Sequence, residues 1–383
     1  MTFQFIETQD AFEDLVLTLL GEPRYAFDTE FHRERTYFPK LALAQFSWSG
    51  GTALVDPFQV DFSALRPLLE SDTVAVLHAA QQDLDVLSHS CGAVPKRMFD
   101  TQVAASFIGY SSPSLANLLQ GELRISVPKG DRLTDWLRRP LTPDQLTYAA
   151  SDVDHLLELQ DRILAQLETN GRTSWAAEVC EELRCKPVSG TDPESAWLRL
   201  KDVRTLKPRG RGVARAVAAW RERRAMSIDS PVRQVLPDLA ILGISQKQPR
   251  TVEELSQARG IDERHWRGAL GKEIVAAVAH GLESEVHLPA ADGDELDRNL
   301  RPAITLVSAW VSELARQEKI DGTVLATRHD IVALLRNDPD ARLASGWRAD
   351  MLGDKVGRLI EGRAGLTFDG RGGLRLMDVP VTE

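Results

Sequence analysis

Two carboxylates occupy alternate positions of an apolar, aromatic stretch, Tyr25–Phe31. Side chains alternate between the two faces of a β-strand, so Asp28 and Glu30 are predicted to emerge side by side on one face. Two like charges at this distance repel each other, and they are costly to bury unless a cation neutralises them. The pair therefore indicates either a cation site or an ordinary strand whose polar face meets water.

A third carboxylate, Asp83, follows a predicted buried strand over Thr73–Ala79. It falls in the first turn of the next helix, near the carboxyl end of the sheet, where open α/β folds place their sites. The helix dipole alone also favours an acidic residue there, so function is not required to explain it. Asp85, two residues further on, is expected to lie on a different face of the helix and in solvent.

The best-marked helix begins at a capping box, in which Thr142 is the N-cap, a proline follows it and Gln145 stands at the third position. This helix is predicted to continue to about Leu167. Tyr148 and Asp152 are one helical turn apart and project from the same face. An ordinary half-buried helix face is the alternative explanation for these two residues.

A sheet is needed to bring these side chains together. The sequence predicts short strands at residues 2–8, 25–31, 41–48, 52–58 and 73–79, with helices among them. The turn Ser49–Gly51 suits a hairpin between the third and the fourth of these strands. This order of elements, with antiparallel links, indicates an α/β domain with a mixed sheet.

Four carboxylates and a tyrosine match the needs of two-metal phosphodiester hydrolysis. Oxygen ligands suit Mg²⁺ or Mn²⁺, and two ions about 4 Å apart can clamp the attacking and the leaving oxygens of a displacement. The candidate site consists of Asp28, Glu30, Asp83, Tyr148 and Asp152.

Three segments carry a resemblance to a known family: FDTEF at residues 27–31, HAAQQDL at 78–84 and YAASDV at 148–153. They resemble the three exonuclease motifs of the DEDD superfamily, and the position of Tyr148 is that of its tyrosine-bearing branch. The flanking segments, at residues 33–41, 100–102 and 129–141, are similar to those of the bacterial ribonuclease D family.

The resemblance implies a ribonuclease-H-like fold and a 3′→5′ exoribonuclease that releases nucleoside 5′-monophosphates. It also implies two divalent metal ions, Mg²⁺ or Mn²⁺. Asp28 would bridge the two ions, and Asp83 would hold the second one, partly through water. Glu30 and Asp152 would complete the coordination of the hydrolytic ion, and Tyr148 would orient the attacking water.

The rest of the chain is predicted to be helical. Residues 194–286 resemble the HRDC domain, which is named for helicases and ribonuclease D, and residues 298–380 resemble a second, more divergent copy. An acidic linker, His287–Asp297, separates the two. The predicted fold is an α/β ribonuclease-H-like exonuclease domain over residues 1–190, with a mixed sheet flanked by helices, followed by two all-α HRDC domains.

Charge is unevenly distributed along the chain, whose formal net charge is -10. Residues 1–190 hold 16 basic and 27 acidic residues, a net of -11, whereas residues 195–234 hold 11 and 3, a net of +8. This excess lacks the compensating acids of an ordinary solvated helical face. We interpret it as a surface that follows RNA phosphates, with a solvated face as the alternative. The candidate phosphate contacts are Arg204, Lys207, Arg209, Arg211 and Arg215.

The composition argues against several other classes of protein. The apolar runs are too short to span a membrane, and the amino terminus lacks the basic start of a signal peptide. Cys91, Cys180 and Cys185 form no metal or disulfide pattern and are expected to be free thiols. We therefore expect a cytoplasmic monomer with no membrane association and no obligate protein partner.

The sequence as a whole predicts an exoribonuclease that acts on RNA with a free 3′ end, such as a tRNA precursor. A 3′→5′ DNA exonuclease is an alternative, since the metal chemistry is indifferent to the 2′-hydroxyl group. A non-catalytic RNA-binding adaptor is a third hypothesis. The intact set of four carboxylates and one tyrosine argues against the adaptor, because a catalytically dead copy would usually have lost one of them.

Overall fold

A computed structural model describes residues 2–127, 134–186, 192–288 and 300–379. Three features of the sequence lie partly outside these residues: the flanking motif at 129–141, the domain boundary near 190 and the linker at 287–297. Within the described residues, no helix combines the length and the apolar character needed to cross a membrane.

A six-stranded sheet organises the first half of the chain. Its strands are β1 (Gln4–Ile6), β2 (Arg24–His32), β3 (Lys40–Trp48), β4 (Gly51–Val55), β5 (Val74–Leu77) and β6 (Met98–Asp100). They lie in the order β1-β4-β3-β2-β5-β6. Antiparallel pairs join β2 to β3 and β3 to β4, whereas β1–β4, β2–β5 and β5–β6 are parallel. The predicted mixed sheet and the predicted β3–β4 hairpin are both confirmed.

Helices cover both faces of this sheet. They are α1 (Gln9–Leu20), α2 (Arg66–Leu69), α3 (Gln81–Cys91), α4 (Thr101–Ala105), α5 (Leu115–Leu118), α6 (Pro143–Asp154), α7 (Leu156–Thr169) and α8 (Thr173–Arg184), with a 3₁₀ turn at Phe62–Leu65 and a π turn at Leu119–Leu123. Helices α1, α2 and α3 share one buried core with Phe27 and Phe46 of the sheet. On the other face, α6 packs on Leu43 and Leu54, and α7 packs on Val76.

The helix predicted to run to about Leu167 is in fact two helices, α6 and α7, which meet at His155. The backbone of His155 leaves the helical region, with φ -110° and ψ 5°. Helix α6 covers the β3 and β4 side of the sheet, and α7 covers the β5 side. The turn at His155 therefore lets one amphipathic run pack on two parts of a twisted sheet.

The second half of the chain is mostly helical, as predicted. Its first part contains α9 (Pro208–Ser227), α10 (Val232–Val235), α11 (Asp238–Lys247), α12 (Val252–Ser256), α13 (Glu263–Trp266) and α14 (Gly268–Gly281), preceded by 3₁₀ turns at Pro193–Arg199 and Val203–Thr205. These elements bury an apolar core of their own, which includes Trp197, Val217 and Ile274. This part is called the first helical region below.

The last part, called the second helical region below, contains both helices and a hairpin. Its elements are α15 (Arg301–Glu318), α16 (Gly322–Leu325), α17 (Arg328–Leu335), α18 (Gly346–Ile360), β7 (Ala364–Phe368) and β8 (Leu374–Asp378). The prediction of an all-α region did not include the β7–β8 hairpin. Two glycines with positive φ, Gly370 and Gly372, stand in the turn between its strands.

The second helical region shares a buried core with the helices on the sheet. The ring of Trp347 stacks on that of Trp175 at 4.9 Å and meets Phe107 edge-on at 5.4 Å. Beside them, Arg348 is only 2% exposed, and its guanidinium group donates a 2.9 Å hydrogen bond to Glu182 of α8. These contacts make the second helical region part of the packing of the first half of the chain.

Candidate active site

Strand β2 presents two of the candidate carboxylates on one face of the sheet. Asp28 pairs with Gln45 and Glu30 with Leu43 of β3, so all four side chains share that face. The pairing shifts directly after this pair: Glu30 lies opposite Leu43 and Phe31 opposite Leu41, so Ala42 of β3 is the extra residue of a β-bulge. Bulges turn a strand and re-aim its side chains, and they are frequent beside active sites. The alternation of carboxylates was visible in the sequence, whereas the bulge was not.

Helix α6 brings Asp152 to the same place. One carboxylate oxygen each from Asp28, Glu30 and Asp152 lies within 4.8 Å of the other two. Tyr148, one turn earlier on α6, lines the same cavity, and its ring packs against that of Trp136 at 6.2 Å. The cavity has a volume of about 750 Å³. Four of the five predicted site residues therefore line one open pocket.

Asp83 lies near enough for its charge to raise the pKa values of Asp28 and Glu30, but it is not among the residues that line the cavity. It occupies the first turn of α3, as predicted, and is 5% exposed. The hydroxyl group of Thr29, on the opposite face of β2, donates a 2.5 Å hydrogen bond to it. Burial raises the pKa of Asp83 to about 7, although the bond from Thr29 acts in the opposite direction. No sequence pattern indicated this role of Thr29.

The carboxylates raise one another's pKa values. Burial raises the pKa of Asp28 well above its ordinary value, and the charges of Asp83, Asp152 and Glu30 raise it further. The pKa of Glu30 is raised to about 8, first by burial and then by Asp152 and Asp83. When no cation is bound, protons on these carboxyl groups provide the neutralisation that a cation would otherwise supply.

Asp100 fixes the start of α3, although no sequence pattern indicated a specific role for it. Its carboxylate accepts hydrogen bonds from the backbone amides of Ala79 and Ala80, at 3.2 and 2.8 Å, on one side. On the other side it accepts hydrogen bonds from the backbone amides of Gln102 and Val103, at 2.8 and 3.1 Å, and so caps α4. One buried carboxylate thus ties the loop before Asp83 to the neighbouring helix.

Asp85 is not in solvent, and that expectation was wrong. It is only 5% exposed, and its carboxylate lies 3.6 Å from the guanidinium group of Arg33. The loop between β2 and β3 folds over α3 and covers the face that was expected to meet water. Residues Arg33–Arg35 of this loop also line the cavity, beside Phe31 and His32 at the end of β2. The covering loop could not be predicted from the periodicity of α3 alone.

The first helical region holds the other end of this loop. The carboxylate of Asp229 accepts hydrogen bonds from the backbone amides of Tyr37 and Phe38, both at 3.0 Å. The hydroxyl group of Tyr37 donates a hydrogen bond to Glu222 of α9. Three hydrogen bonds therefore join the first helical region to the loop that lines the cavity.

The basic candidates lie in the first helical region, and none of them lines the cavity. Arg204, Lys207 and Arg209 are exposed. Arg211 is half-buried and donates a 3.0 Å hydrogen bond to the carbonyl oxygen of Arg204. The guanidinium group of Arg215 lies 3.8 Å from the carboxylate of Glu194. A role of these five residues in binding RNA stays a prediction.

The carboxylates fit a divalent cation. Each offers hard oxygen ligands, which suit Mg²⁺ or Mn²⁺ rather than softer metals. Their spacing, within 4.8 Å of one another, allows a single ion to touch all three. Their mutual repulsion would be relieved by positive charge, as the raised pKa values of Asp28 and Glu30 indicate.

Comparison with known proteins identifies the family. Residues 3–168 match the 3′-5′ exonuclease family, and residues 210–278 match the HRDC domain family. The chain is 34% identical to ribonuclease D of Gluconacetobacter diazotrophicus over 372 residues, which are 95% of this chain and 94% of the relative. It is 33% identical to ribonuclease D of Acidiphilium cryptum over 98% of this chain and 97% of that relative.

A solved structure agrees over the same length. The crystal structure of Escherichia coli RNase D, an exoribonuclease involved in structured RNA processing, superposes with a TM-score of 0.83. It is 28% identical, and the match covers 94% of this chain and 99% of that one. The chain therefore belongs to the ribonuclease D family of 3′→5′ exoribonucleases.

Proposed function

We propose that this enzyme shortens RNA from a free 3′ end by two-metal hydrolysis and releases nucleoside 5′-monophosphates. The observation that carries the proposal is the convergence of Asp28, Glu30 and Asp152 within 4.8 Å in an open cavity. These three carboxylates are half-buried and repel one another, which is destabilising by itself and supports a function that uses positive charge.

Each side chain has a separate task in this proposal. Two divalent ions, Mg²⁺ or Mn²⁺, would neutralise the charge that develops on the attacking and leaving oxygens. Asp28 and Glu30 would hold the ions from β2, Asp152 would hold them from α6, and Asp83 would contribute from the start of α3. Tyr148 lines the same cavity as Asp28, Glu30 and Asp152, and its hydroxyl group would orient the attacking water.

The substrate is proposed to be tRNA precursors and other structured RNA that carries a single-stranded 3′ trailer. The similarity to Escherichia coli RNase D, an exoribonuclease involved in structured RNA processing, supports this class. The cavity is open on one side and has a volume of about 750 Å³, which suits a strand end entering from solvent. The enzyme is proposed to act in the cytoplasm as a monomer.

The domains divide this work. We propose an exonuclease domain at residues 1–190, a first HRDC domain at 194–286 and a second, divergent one at 298–380. The separate core of the first helical region supports its standing as a domain. Its cations, among them Arg204, Lys207 and Arg209, are proposed to draw the RNA backbone toward an otherwise acidic domain.

A direct comparison of substrates tests this function. A tRNA precursor with a 3′ trailer and a DNA strand of the trailer's sequence are offered to the purified protein in Mg²⁺, with Asp152→Asn as the inactive variant. Asp144→Asn is the matched control, because Asp144 is exposed in the first turn of the same helix. We expect trimming of the precursor by the wild type and by the control. Degradation of the DNA alone would show a DNA exonuclease instead.

A further inference from the structure

The buried side chain of Gln45 has no hydrogen-bond partner in the part of the chain that the structure describes. Gln45 lies in the middle of β3 and is 0% exposed. Neither its amide oxygen Oε1 nor its amide nitrogen Nε2 has a partner among the described residues. Buried polar groups in proteins are almost always paired, so an amide with two unpaired ends needs an explanation.

The register of the sheet places this amide beside the site. Gln45 is the antiparallel partner of Asp28, so the two side chains share one face with Cβ atoms about 4.5–5.5 Å apart. On the other side of Gln45, β4 presents Leu54, and Leu43 is one of its two β3 neighbours on that face. Leucine offers no side-chain donor or acceptor. The other β3 neighbour, Ser47, accepts a 3.3 Å hydrogen bond from Thr52. Asp28 is thus the polar residue that pairs directly with Gln45 across the strands.

The second carboxylate of the site shows what such a donor does. Asp83 accepts a hydrogen bond from the hydroxyl group of Thr29, which fixes one of its oxygens. Carboxylates that hold metals are generally oriented by hydrogen bonds from residues behind them, and loss of such a partner weakens metal binding. Gln45 stands behind Asp28 with an amide donor that nothing else among the described residues engages.

We propose that Gln45 is a positioning residue for Asp28: its amide nitrogen donates a hydrogen bond to the Asp28 carboxylate when divalent cations occupy the site. The inference rests on the proposed function, in which Asp28 holds these cations. Once positive charge relieves the repulsion among Asp28, Glu30 and Asp152, the Asp28 carboxylate is free to take the orientation in which it accepts this bond.

The test measures cation binding without RNA, so that it does not depend on catalysis. Gln45→Leu removes both amide atoms and keeps the volume of the side chain close to that of glutamine. Mn²⁺ binding is followed by electron paramagnetic resonance, and the melting temperature is recorded with and without Mn²⁺. We expect the Mn²⁺ concentration for half-saturation to rise by roughly 10-fold or more. The cation-free melting temperature should stay unchanged or rise, because the variant buries no unpaired amide.

A second buried glutamine provides the matched control. Gln160 on α7 is 5% exposed, and its amide oxygen accepts a 2.8 Å hydrogen bond from Arg24. Gln160→Leu should lower the cation-free melting temperature and leave Mn²⁺ binding unchanged, which is the signature of a structural role. Gln45→Met, with an unbranched side chain, repeats the measurement in case leucine does not pack on β3.

Wild-type Mn²⁺ affinity in Gln45→Leu and Gln45→Met would overturn the inference. If their cation-free melting temperature also fell, as expected for Gln160→Leu, the role of Gln45 would be structural only. Asp28→Asn separates this inference from the proposed function. If Asp28→Asn abolishes strong Mn²⁺ binding while the Gln45 variants bind normally, only the role of Gln45 fails; if Asp28→Asn binds normally, the proposed cation site fails.

Discussion

The hydroxyl group of Tyr37 donates a 2.7 Å hydrogen bond to the carboxylate of Glu222, which is 5% exposed. Tyr37 belongs to the loop whose first residues line the cavity of the candidate active site, and Glu222 belongs to α9 of the first helical region. The acid is therefore buried at the contact between the two regions. The shape of the cavity mouth consequently depends on how the first helical region is docked.

Loss of this bond should loosen the loop. Tyr37→Phe leaves Glu222 buried without that donor, at a cost of about 1–3 kcal/mol. We expect faster amide hydrogen exchange in residues 33–39 and a higher KM for RNA, even for short oligonucleotides that do not reach the first helical region. Glu222→Gln keeps an acceptor oxygen and should behave more like the wild type. Unchanged exchange and unchanged KM in Tyr37→Phe would show that the docking does not influence the cavity.

Tyr148→Phe tests the tyrosine of the active site. The change removes one hydroxyl group from a helix face that otherwise stays packed against Trp136. If the hydroxyl group orients the attacking water, kcat should fall by roughly 10²-fold, the scale of a positioning or proton-handling group, while RNA affinity stays constant. Tyr110→Phe is the control, since that hydroxyl group bonds to Glu122 and does not line the cavity. Parallel losses of rate and affinity would make Tyr148 a substrate contact instead.

The stability of the cation-free protein should fall as the pH rises. The folded pKa values of Glu30 and Asp83 are raised to about 8 and about 7, whereas both groups titrate near pH 4 in an unfolded chain. Between these values the unfolded chain has released protons that the folded protein still holds, so the free energy of unfolding decreases with pH. The contribution of the protonated Glu30 and Asp83 carboxyl groups to the free energy of unfolding is fully present below about pH 4. It is lost as the pH rises through 7 to 8.

Denaturant unfolding between pH 5 and 8 measures this slope. Saturating Mg²⁺ should flatten it, because the ions replace the protons. Asp28→Asn should flatten it too, since it removes one of the charges that crowd the cluster. The cation-free variant should then be as stable as the wild type or more stable near pH 8. The measured quantity is the difference in free energy of unfolding between the cation-free wild type and Asp28→Asn. If this difference stayed constant or moved in favour of the wild type from pH 5 to 8, it would contradict the electrostatic account.

The basic residues of the first helical region should give RNA binding its salt dependence. The triple variant Arg209→Gln, Arg211→Gln, Arg215→Gln should lower the slope of log affinity against log salt by roughly 0.7 for each phosphate that is no longer neutralised. RNA sequence should matter little, because phosphate contacts do not read bases. The titration is run in Ca²⁺ to suppress cleavage. The melting temperature is recorded beside it, because Arg211 also bonds to the carbonyl oxygen of Arg204. If the wild type and the triple variant had the same slope of log affinity against log salt, these basic residues would be an ordinary solvated surface.

The parts of the site that follow from local periodicity were predictable from the sequence. Because side chains alternate along a strand, Asp28 and Glu30 could be predicted to lie on one face of β2. Because Tyr148 and Asp152 are four residues apart, they could be predicted to lie on one face of a helix. The capping box at Thr142 gave the start of α6, and the structure shows both of its hydrogen bonds. These features depend only on residues close together in the chain, so the local pattern is sufficient.

The remaining features depend on contacts between distant residues. Strand β6 is three residues long and carries no alternation, so it exists because it pairs with β5. The bond from Thr29 to Asp83 joins residues 54 positions apart. The packing of Trp347 on Trp175 likewise joins two regions that the sequence presented as separate domains. Removal of all residues after 190 would therefore uncover core side chains, and substitutions test the helical regions more cleanly than truncation.

The carboxylate cluster of Asp28, Glu30 and Asp152 is proposed to hydrolyse RNA from its 3′ end. The most direct measurement follows a 5′-labelled single-stranded RNA in saturating Mg²⁺ with the wild type, Asp28→Asn and the exposed control Asp144→Asn. The wild type and the control should produce a ladder that shortens stepwise from the 3′ end, with nucleoside 5′-monophosphates as products. Asp28→Asn should lose about 10³-fold in rate, because it withdraws a charge worth several kcal/mol in the transition state. Wild-type activity of Asp28→Asn under these conditions would contradict the account.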